Sequence, residues 1–517
     1  MKSFLAVYRS KIKGVLSGWD RLRMRGTLRL IANRNGMEAY LTMQGILLKH
    51  FKAWAMSLTE QVRRSTERIA EAAGRPIEHL RSSQVRKEDR AKQIAEGDRV
   101  TEGLVCVLAC VEPCATYEVG PNRERKWLEL RAFSGKCLHQ YFYFQHREWG
   151  LMHVRLQTWL PFTVHVCLNG REWLANDLRR ARLGYVKRDN CFVDLTNPKR
   201  AQDIFSRQLH TDWPKQLDRL IKRCHPAHAT MFQAIPLHYY WSADETEWAT
   251  DVMFRSPELL AEVYPQFVRH AMTHLNCQDV LRFFGRPASQ HHYHAANLLT
   301  DLKRRHEGVR CKHQLNHNSI KMYDKQQTVL RVETTVNDAR DIRVYRTAET
   351  DPGGRPGWLP LRKGVADLHR RADVSQKANE RYFESLATVE VEQSLGETVH
   401  AICQRTTWQG QRVRGLAPFT SADASLLAAV SRGEFTLHGF RNRDLRALLF
   451  ADEKDPQQQK RQAAKVTRLI RLLRAHGLIQ KISHTNRYQL TANGRTAITA
   501  VLAAQHANTK QLAQLAA

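Results

Sequence analysis

The sequence predicts an α+β protein of several domains. Residues 1–100 read as a basic helical N-terminal region and 101–350 as a mixed, largely antiparallel sheet core. Residues 351–432 read as a linker and helical connector, and 433–517 as a compact helix–helix–hairpin–helix module. Three observations predict this. Apolar residues recur at helical spacing near both ends of the chain, while the middle holds short runs of Val, Tyr, Phe and Trp separated by turn residues. The run Asp-Pro-Gly-Gly-Arg-Pro-Gly at 351–357 is the clearest boundary. A length of 517 residues leaves room for two to four domains.

Taken in order, residues 37–73 place Tyr40, Met43, Ile46, Leu47, Phe51, Trp54 and Leu58 at roughly helical intervals. Residues 12–34 carry Arg21, Arg23 and Arg25 among other cations, as either a solvated face or an arm that grips a nucleic-acid backbone. Strands are expected at 127–133, 137–144, 151–159 and 164–168, and 104–111 reads as a buried strand whose length leaves a helix open. The run Tyr141-Phe142-Tyr143-Phe144 suits a sheet core or a base-stacking platform. A small α/β layer follows over 171–224, then a hairpin or long strand at 239–254 and a helix at 257–275. Residues 321–323 and 329–336 form a hairpin around a turn at 324–328, and 362–388 is a charged helix.

The last module has the strongest pattern. Val466, Leu469, Ile470 and Leu473 follow i, i+3, i+4, i+7, and Gly477 stands where a left-handed C-cap belongs. Residues 478–482 and 487–490 pair as a hairpin, and Asn442 suits an N-cap for the preceding helix. The segments "FRNRDLRALLF", "RLLRAHGLI" and "NRYQLTANGR" in this order resemble the winged helix-turn-helix family. The resemblance implies a recognition helix over about 460–476, with Arg461, Lys465, Arg468 and Arg471 on its polar face and Arg487 in the wing. Such side chains bond phosphates or guanine edges. A winged helix that contacts only protein is the alternative.

The chain carries 81 Lys/Arg against 51 Asp/Glu, a net charge of +30, with pI near 10.0. Residues 433–517 alone hold 14 Lys/Arg and 5 Asp/Glu. This balance points to a nucleic-acid partner rather than a membrane, and the winged-helix resemblance implies DNA ahead of RNA. The hydrophobic fraction of 42% and charged fraction of 26% are ordinary for a globular protein. No apolar run approaches the roughly 20 residues of a membrane helix, and the first residues lack a signal-peptide pattern. Ten cysteines without a CxxC pair read as reduced thiols, so the expected location is cytoplasmic. Phosphate-binding GxxxxGK[ST], GxSxG and HExxH motifs are absent.

The best chemical candidate is "NSIKMYDKQQTVLRVETTV". Alternation puts Arg331 and Glu333 on one strand face, and Glu245, Glu247 and Asp251 of "SADETEWATDVMF" share a face if that segment is a strand. Tyr-Asp-Lys, a short turn, then Leu-Arg-Val-Glu resembles the replication-initiation factors of plasmids and filamentous phages. That resemblance implies Tyr323 as a DNA-nicking nucleophile and Glu333 as a ligand of a divalent metal, Mg²⁺ or Mn²⁺. Lys325 and Arg331 would steady phosphate charge, and Glu247 and Asp251 would complete the metal site. A salt-bridged hairpin with a packed tyrosine is the alternative. So is a DNA- or RNA-binding protein without catalysis, a regulator or the partner of a mobile element. His292-Tyr293-His294 fits a His-hydrophobic-His triplet loosely and reads as surface histidines, because no tyrosine has a lysine four positions on.

Overall fold

The structure is a computed structural model that describes all residues except 83, 125, 287–297, 306–307, 349, 352, 390–394, 436–438, 484 and 508–517. The His292-Tyr293-His294 triplet lies outside the described residues.

One large sheet organises the chain. Its strands are β1 (Ile12–Leu28), β2 (Ile77–His79), β3 (Gly103–Asn122), β4 (Trp127–His146), β5 (Gly150–Gln157) and β6 (Val164–Asn169). A separate hairpin, β7 (Tyr185–Arg188) and β8 (Cys191–Leu195), follows them. The sheet resumes with β9 (Tyr239–Phe254), β10 (Leu298–Arg305), β11 (Gly308–Leu315), β12 (Asn318–Lys325) and β13 (Val329–Val336). The strand order is β10-β11-β12-β13-β9-β1-β6-β5-β4-β3-β2, antiparallel throughout except for the β2–β3 pair.

The N-terminal region departs from the expected helical region. Helices occupy Lys2–Val7, Arg34–Met43, Phe51–Ala72 and Lys87–Gly97, but Ile12–Leu28 is a central strand, paired with β9 on one side and β6 on the other. Arg21, Arg23 and Arg25 therefore stand on a sheet, not on an arm. Exposed Arg21, Arg23 and Arg25 alternate with buried Leu22 and Met24, the period-2 signature of a half-buried strand. Gly14 and Gly18 let the helix Pro198–Ser206 lie close on this strand, since a Cβ at Gly18 would overlap the Phe205 ring.

The two sheet faces are covered unequally. Trp19, Leu22, Met24, Trp248, Val252, Leu330 and Val332 face the main apolar layers, under the helices Phe51–Ala72, Trp213–Cys224, Pro257–Thr273 and Leu368–Leu386. On the opposite face, the helix Lys87–Gly97 packs over β3 and β4, with Ala91 and Ile94 against Tyr141 and Tyr143. Residues 141–144 are all buried, so that aromatic run is core. Leu174, Leu178, Phe192 and Phe205 cap the part of this face near Leu16, Met253 and Val329. The carboxylate cluster described below lies beside this cap.

Hairpin β14 (Arg343–Arg346) and β15 (Gly357–Pro360) precedes the helix Leu368–Leu386. The rest of the chain forms its own apolar cluster. It comprises the helices Leu395–Cys403, Ser421–Val430, Asn442–Leu449, Pro456–Ala475 and Ala492–His506, with hairpins β16 (Thr406–Trp408)–β17 (Gln411–Val413) and β18 (Ile479–Lys481)–β19 (Tyr488–Leu490). Val399, Ile402, Val413 and Leu416, in the segment expected to be a connector, belong to this cluster. Gly477 has φ +67°, the left-handed conformation expected after the helix. Asn442 is not the N-cap, which is Arg441; its amide instead donates to the Ala463 carbonyl and to Thr467 Oγ1, both at 2.9 Å, and ties two helices together.

Among the described residues, no helix is long and apolar enough to cross a membrane. The ten cysteines are all free thiols.

Candidate functional site

The register of three neighbouring strands builds the site. Lys321 on β12 stands opposite Glu333 on β13, Tyr323 opposite Arg331, and Arg331 opposite Asp251 on β9. Glu247 lies opposite Thr335 on one side and Arg21 on the other. Because side chains alternate, all of these point to one sheet face. The β1–β9 register shifts between Trp19 and Arg21, leaving Asp20 as the extra residue of a bulge. Bulges re-aim side chains, and this one brings Asp20 to the same cluster. Carboxylate oxygens of Asp20, Glu247 and Glu333 lie within 4.8 Å of one another.

Lys321 sits among these acids. Its Nζ donates to Glu333 Oε1 at 2.8 Å and to Glu247 Oε1 at 3.2 Å. The Tyr323 hydroxyl donates to the same Glu333 oxygen at 3.2 Å. Burial raises the Glu247 carboxyl, and the neighbouring Glu333 adds to it, so its pKa reaches about 7. Burial also pushes the Tyr323 phenol well above its ordinary value, and Glu333 reinforces this against the opposing Lys321 charge. Burial works against the Lys321 ammonium, but Glu333, Tyr323 and Glu247 outweigh it and hold its pKa well above that of a free lysine.

A second, deeper network lies beside the first. Arg331 is fully buried and grips Asp251 with two bonds, Nε to Oδ1 at 2.6 Å and Nη2 to Oδ2 at 2.9 Å. Its Nη1 donates to Asp20 Oδ1 and its Nη2 to the Asn190 carbonyl, both at 2.9 Å. Buried Arg171 adds a 3.0 Å contact to Asp251, and the Asn190 amide donates to Asp20 at 2.8 Å. Burial opposes the Asp20 charge, yet Arg331, Arg171 and Lys325 outweigh it and lower its pKa. This network anchors β1, β9 and β13 to the β7–β8 hairpin.

The expected residues are therefore only partly brought together. Tyr323, Glu333 and Glu247 converge. Asp251 and Arg331 instead neutralise each other in the deeper network, so Arg331 has no free donor fork for a phosphate. Lys325 is buried, its Nζ 6.0 Å from the centre of the Tyr323 ring. Sequence reasoning passed over Asp20, Lys321 and Arg171. Lys321 was open to detection, since it lies two residues before Tyr323 on an alternating strand. The Asp20 bulge leaves no comparable pattern.

The basic candidates fall on two surfaces. Arg21, Arg23 and Arg25 line β1 on the cluster's face; Arg25 pairs with Asp244 at 2.8 Å and Arg21 lies 3.9 Å from Glu247. On the helix Pro456–Ala475, Arg461, Lys465, Arg468 and Arg471 are exposed. Arg487 is half-buried and donates to the Gly439 carbonyl at 3.1 Å, which braces the β18–β19 hairpin.

The acidic cluster fits a hard divalent cation in donor chemistry, because three carboxylates from three strands suit Mg²⁺ or Mn²⁺. Lys321 now satisfies two of those three carboxylates. Comparison with protein-family models, with curated proteins and with solved structures finds no match.

Proposed function

We propose that this chain is a DNA-binding protein of the replication-initiator or mobile-element kind that nicks one DNA strand through Tyr323. The observation that carries the reading is the Tyr323 hydroxyl bonded to Glu333 inside a three-carboxylate cluster on an otherwise basic chain. Glu333, which accepts the Tyr323 hydroxyl bond, takes the phenolic proton as Tyr323 Oη bonds to phosphorus. The P–O bond to the neighbouring sugar then breaks, and the departing sugar oxygen takes a proton from solvent. Lys321, bonded to the same Glu333 oxygen as Tyr323, offsets phosphate charge. Asp20, Glu247 and Glu333 would hold Mg²⁺ or Mn²⁺, which when bound supplies a Lewis acid for the phosphate.

In the same reading the C-terminal module is a winged helix that addresses the protein to DNA. Its recognition helix is Pro456–Ala475, and Arg461, Lys465, Arg468 and Arg471 form the contact face. A second reading, binding to DNA or RNA without catalysis, draws on Lys321. That ammonium already balances Glu247 and Glu333, as a purely structural network would require.

Incubation of the protein with supercoiled and single-stranded DNA in Mg²⁺ or Mn²⁺ tests both. Strand cleavage with a covalent protein–DNA adduct, abolished by Tyr323→Phe while DNA binding persists, is the expected result. Full cleavage by Tyr323→Phe would sink the tyrosine mechanism. Tight binding with no turnover by the unaltered protein would favour the non-catalytic reading.

A further inference from the structure

We propose that the small hairpin β16–β17 is a second nucleic-acid grip, in which Arg405 and Arg412 hold the phosphate backbone of a duplex lying against the helix Pro456–Ala475. The proposal rests on the winged-helix reading of the C-terminal module and adds a contact that such a reading does not require.

Position is the first argument. Strands of three residues do not stand alone, and this pair is pinned to the basic helix. Arg471 donates to the Gln411 side chain. The Arg474 guanidinium lies 5.1 Å from the Trp408 ring and 5.8 Å from the Tyr488 ring, so it is held between the two hairpins. His476 Nε2 stands 2.9 Å from the Arg414 carbonyl. The helix that carries Arg461, Lys465 and Arg468 is thus flanked by β16–β17 as well as by β18–β19.

The shape of the hairpin is the second argument. Gln409 and Gly410 have φ +49° and +75°, the left-handed pair of a tight two-residue turn. Trp408 and Gln411 form the last strand pair before that turn, and Thr406 and Val413 share their face by alternation. Trp408 and Gln411 meet the helix, and Val413 joins the apolar cluster. Thr407 and Arg412 form the outer face, and alternation puts Arg405 there too. Arg405, Thr407 and Arg412 are all exposed.

Charge selects the occupant. Asp423, the carboxylate paired with Arg414 of the following segment, is already bound by Arg414 Nη1 and Nη2 at 2.7 Å and by the Ala417 N–H. Arg405 and Arg412 make no ion pair among the described residues. A protein partner would call for an apolar or aromatic anchor, which the outer face lacks. Exposed arginines on a hairpin pinned to a cationic helix suit a polyphosphate backbone.

The test is binding of the full-length protein to a mixed-sequence duplex, read by fluorescence anisotropy across a salt series. Arg405→Ala with Arg412→Ala is expected to reduce the slope of log affinity against log salt by about 2, close to 0.9 per phosphate contact. Lysines at both positions should restore most of it, and thermal unfolding should not move. Arg461→Ala with Arg468→Ala is the reference in the same assay. If that pair weakens binding and the hairpin pair does not, the hairpin proposal is overturned while the module reading survives. If neither pair changes binding, both fall.

Discussion

In the sheet, Asp20, Glu247, Asp251 and Glu333 meet Lys321, Arg171 and Arg331 at bonding distance. On the helix Pro456–Ala475, Arg461, Lys465 and Arg468 face water and make no carboxylate contact among the described residues. The sheet network is out of water, where an uncompensated charge costs several kcal/mol, so nearly every charge there has a partner. The helix face lies in high dielectric, where unpaired cations cost little and keep their attraction for a polyanion. The +30 of the whole chain is thus no guide to any one surface. The region with the most ionisable groups is close to neutral, and the long-range field belongs to residues that contact little.

Three measurements can break or sharpen this contrast. The largest effect is expected from Arg331→Met, which strands Asp20 and Asp251 in the buried network. Urea denaturation should show a loss of about 3–5 kcal/mol. A loss below about 1 kcal/mol would mean that those carboxylates reach water and that the sheet network is not a closed one.

Glu247→Gln comes next. The folded-state pKa of Glu247, about 7, is raised above its unfolded value of 4.5, so the folded chain holds that proton more tightly. Its contribution to stability is therefore fully present below pH 4.5 and is lost as pH rises through 7. The loss is about 3 kcal/mol at most. Stability measured from pH 4.5 to 8 should lose that component in the glutamine variant. An unchanged profile would place the titration elsewhere.

The smallest effect is expected from Arg468→Ala. Thermal unfolding should stay put, while the salt slope of duplex binding falls by about 1. A drop in melting temperature with an unchanged slope would reverse the contrast, making the exposed cation structural.

The parts legible in advance were those carried by local pattern. Lys321 to Val336 reads as a hairpin because apolar and polar residues alternate on both sides of a short turn, and β12 and β13 follow it. The helix ending at Ala475, the positive φ at Gly477 and the two short strands after it were also written locally. Residues 12–28 were misread because scattered cations and glycines suggested a basic helical arm. The alternation Arg21-Leu22-Arg23-Met24-Arg25 was the better signal, and it describes a strand with one face buried. Residues 404–416 fell inside the expected connector because strands of three residues carry too little periodicity to register.

What the sequence by itself determined is the alternation that puts Tyr323 with Lys321, and Arg331 with Glu333, on common strand faces, together with the helical stripe of the last module. These depend on residues a few positions apart and on the fixed geometry of strands and helices. Only the tertiary structure decided that Asp20 joins Glu333 across more than three hundred residues, or that Asp251 turns to Arg331 rather than to Glu247. Those outcomes hang on the register of β1, β9 and β13 and on one bulged residue. A shift of one position would send every side chain of a strand to the opposite face. Register is set by packing over the whole sheet, and no short window of sequence contains it.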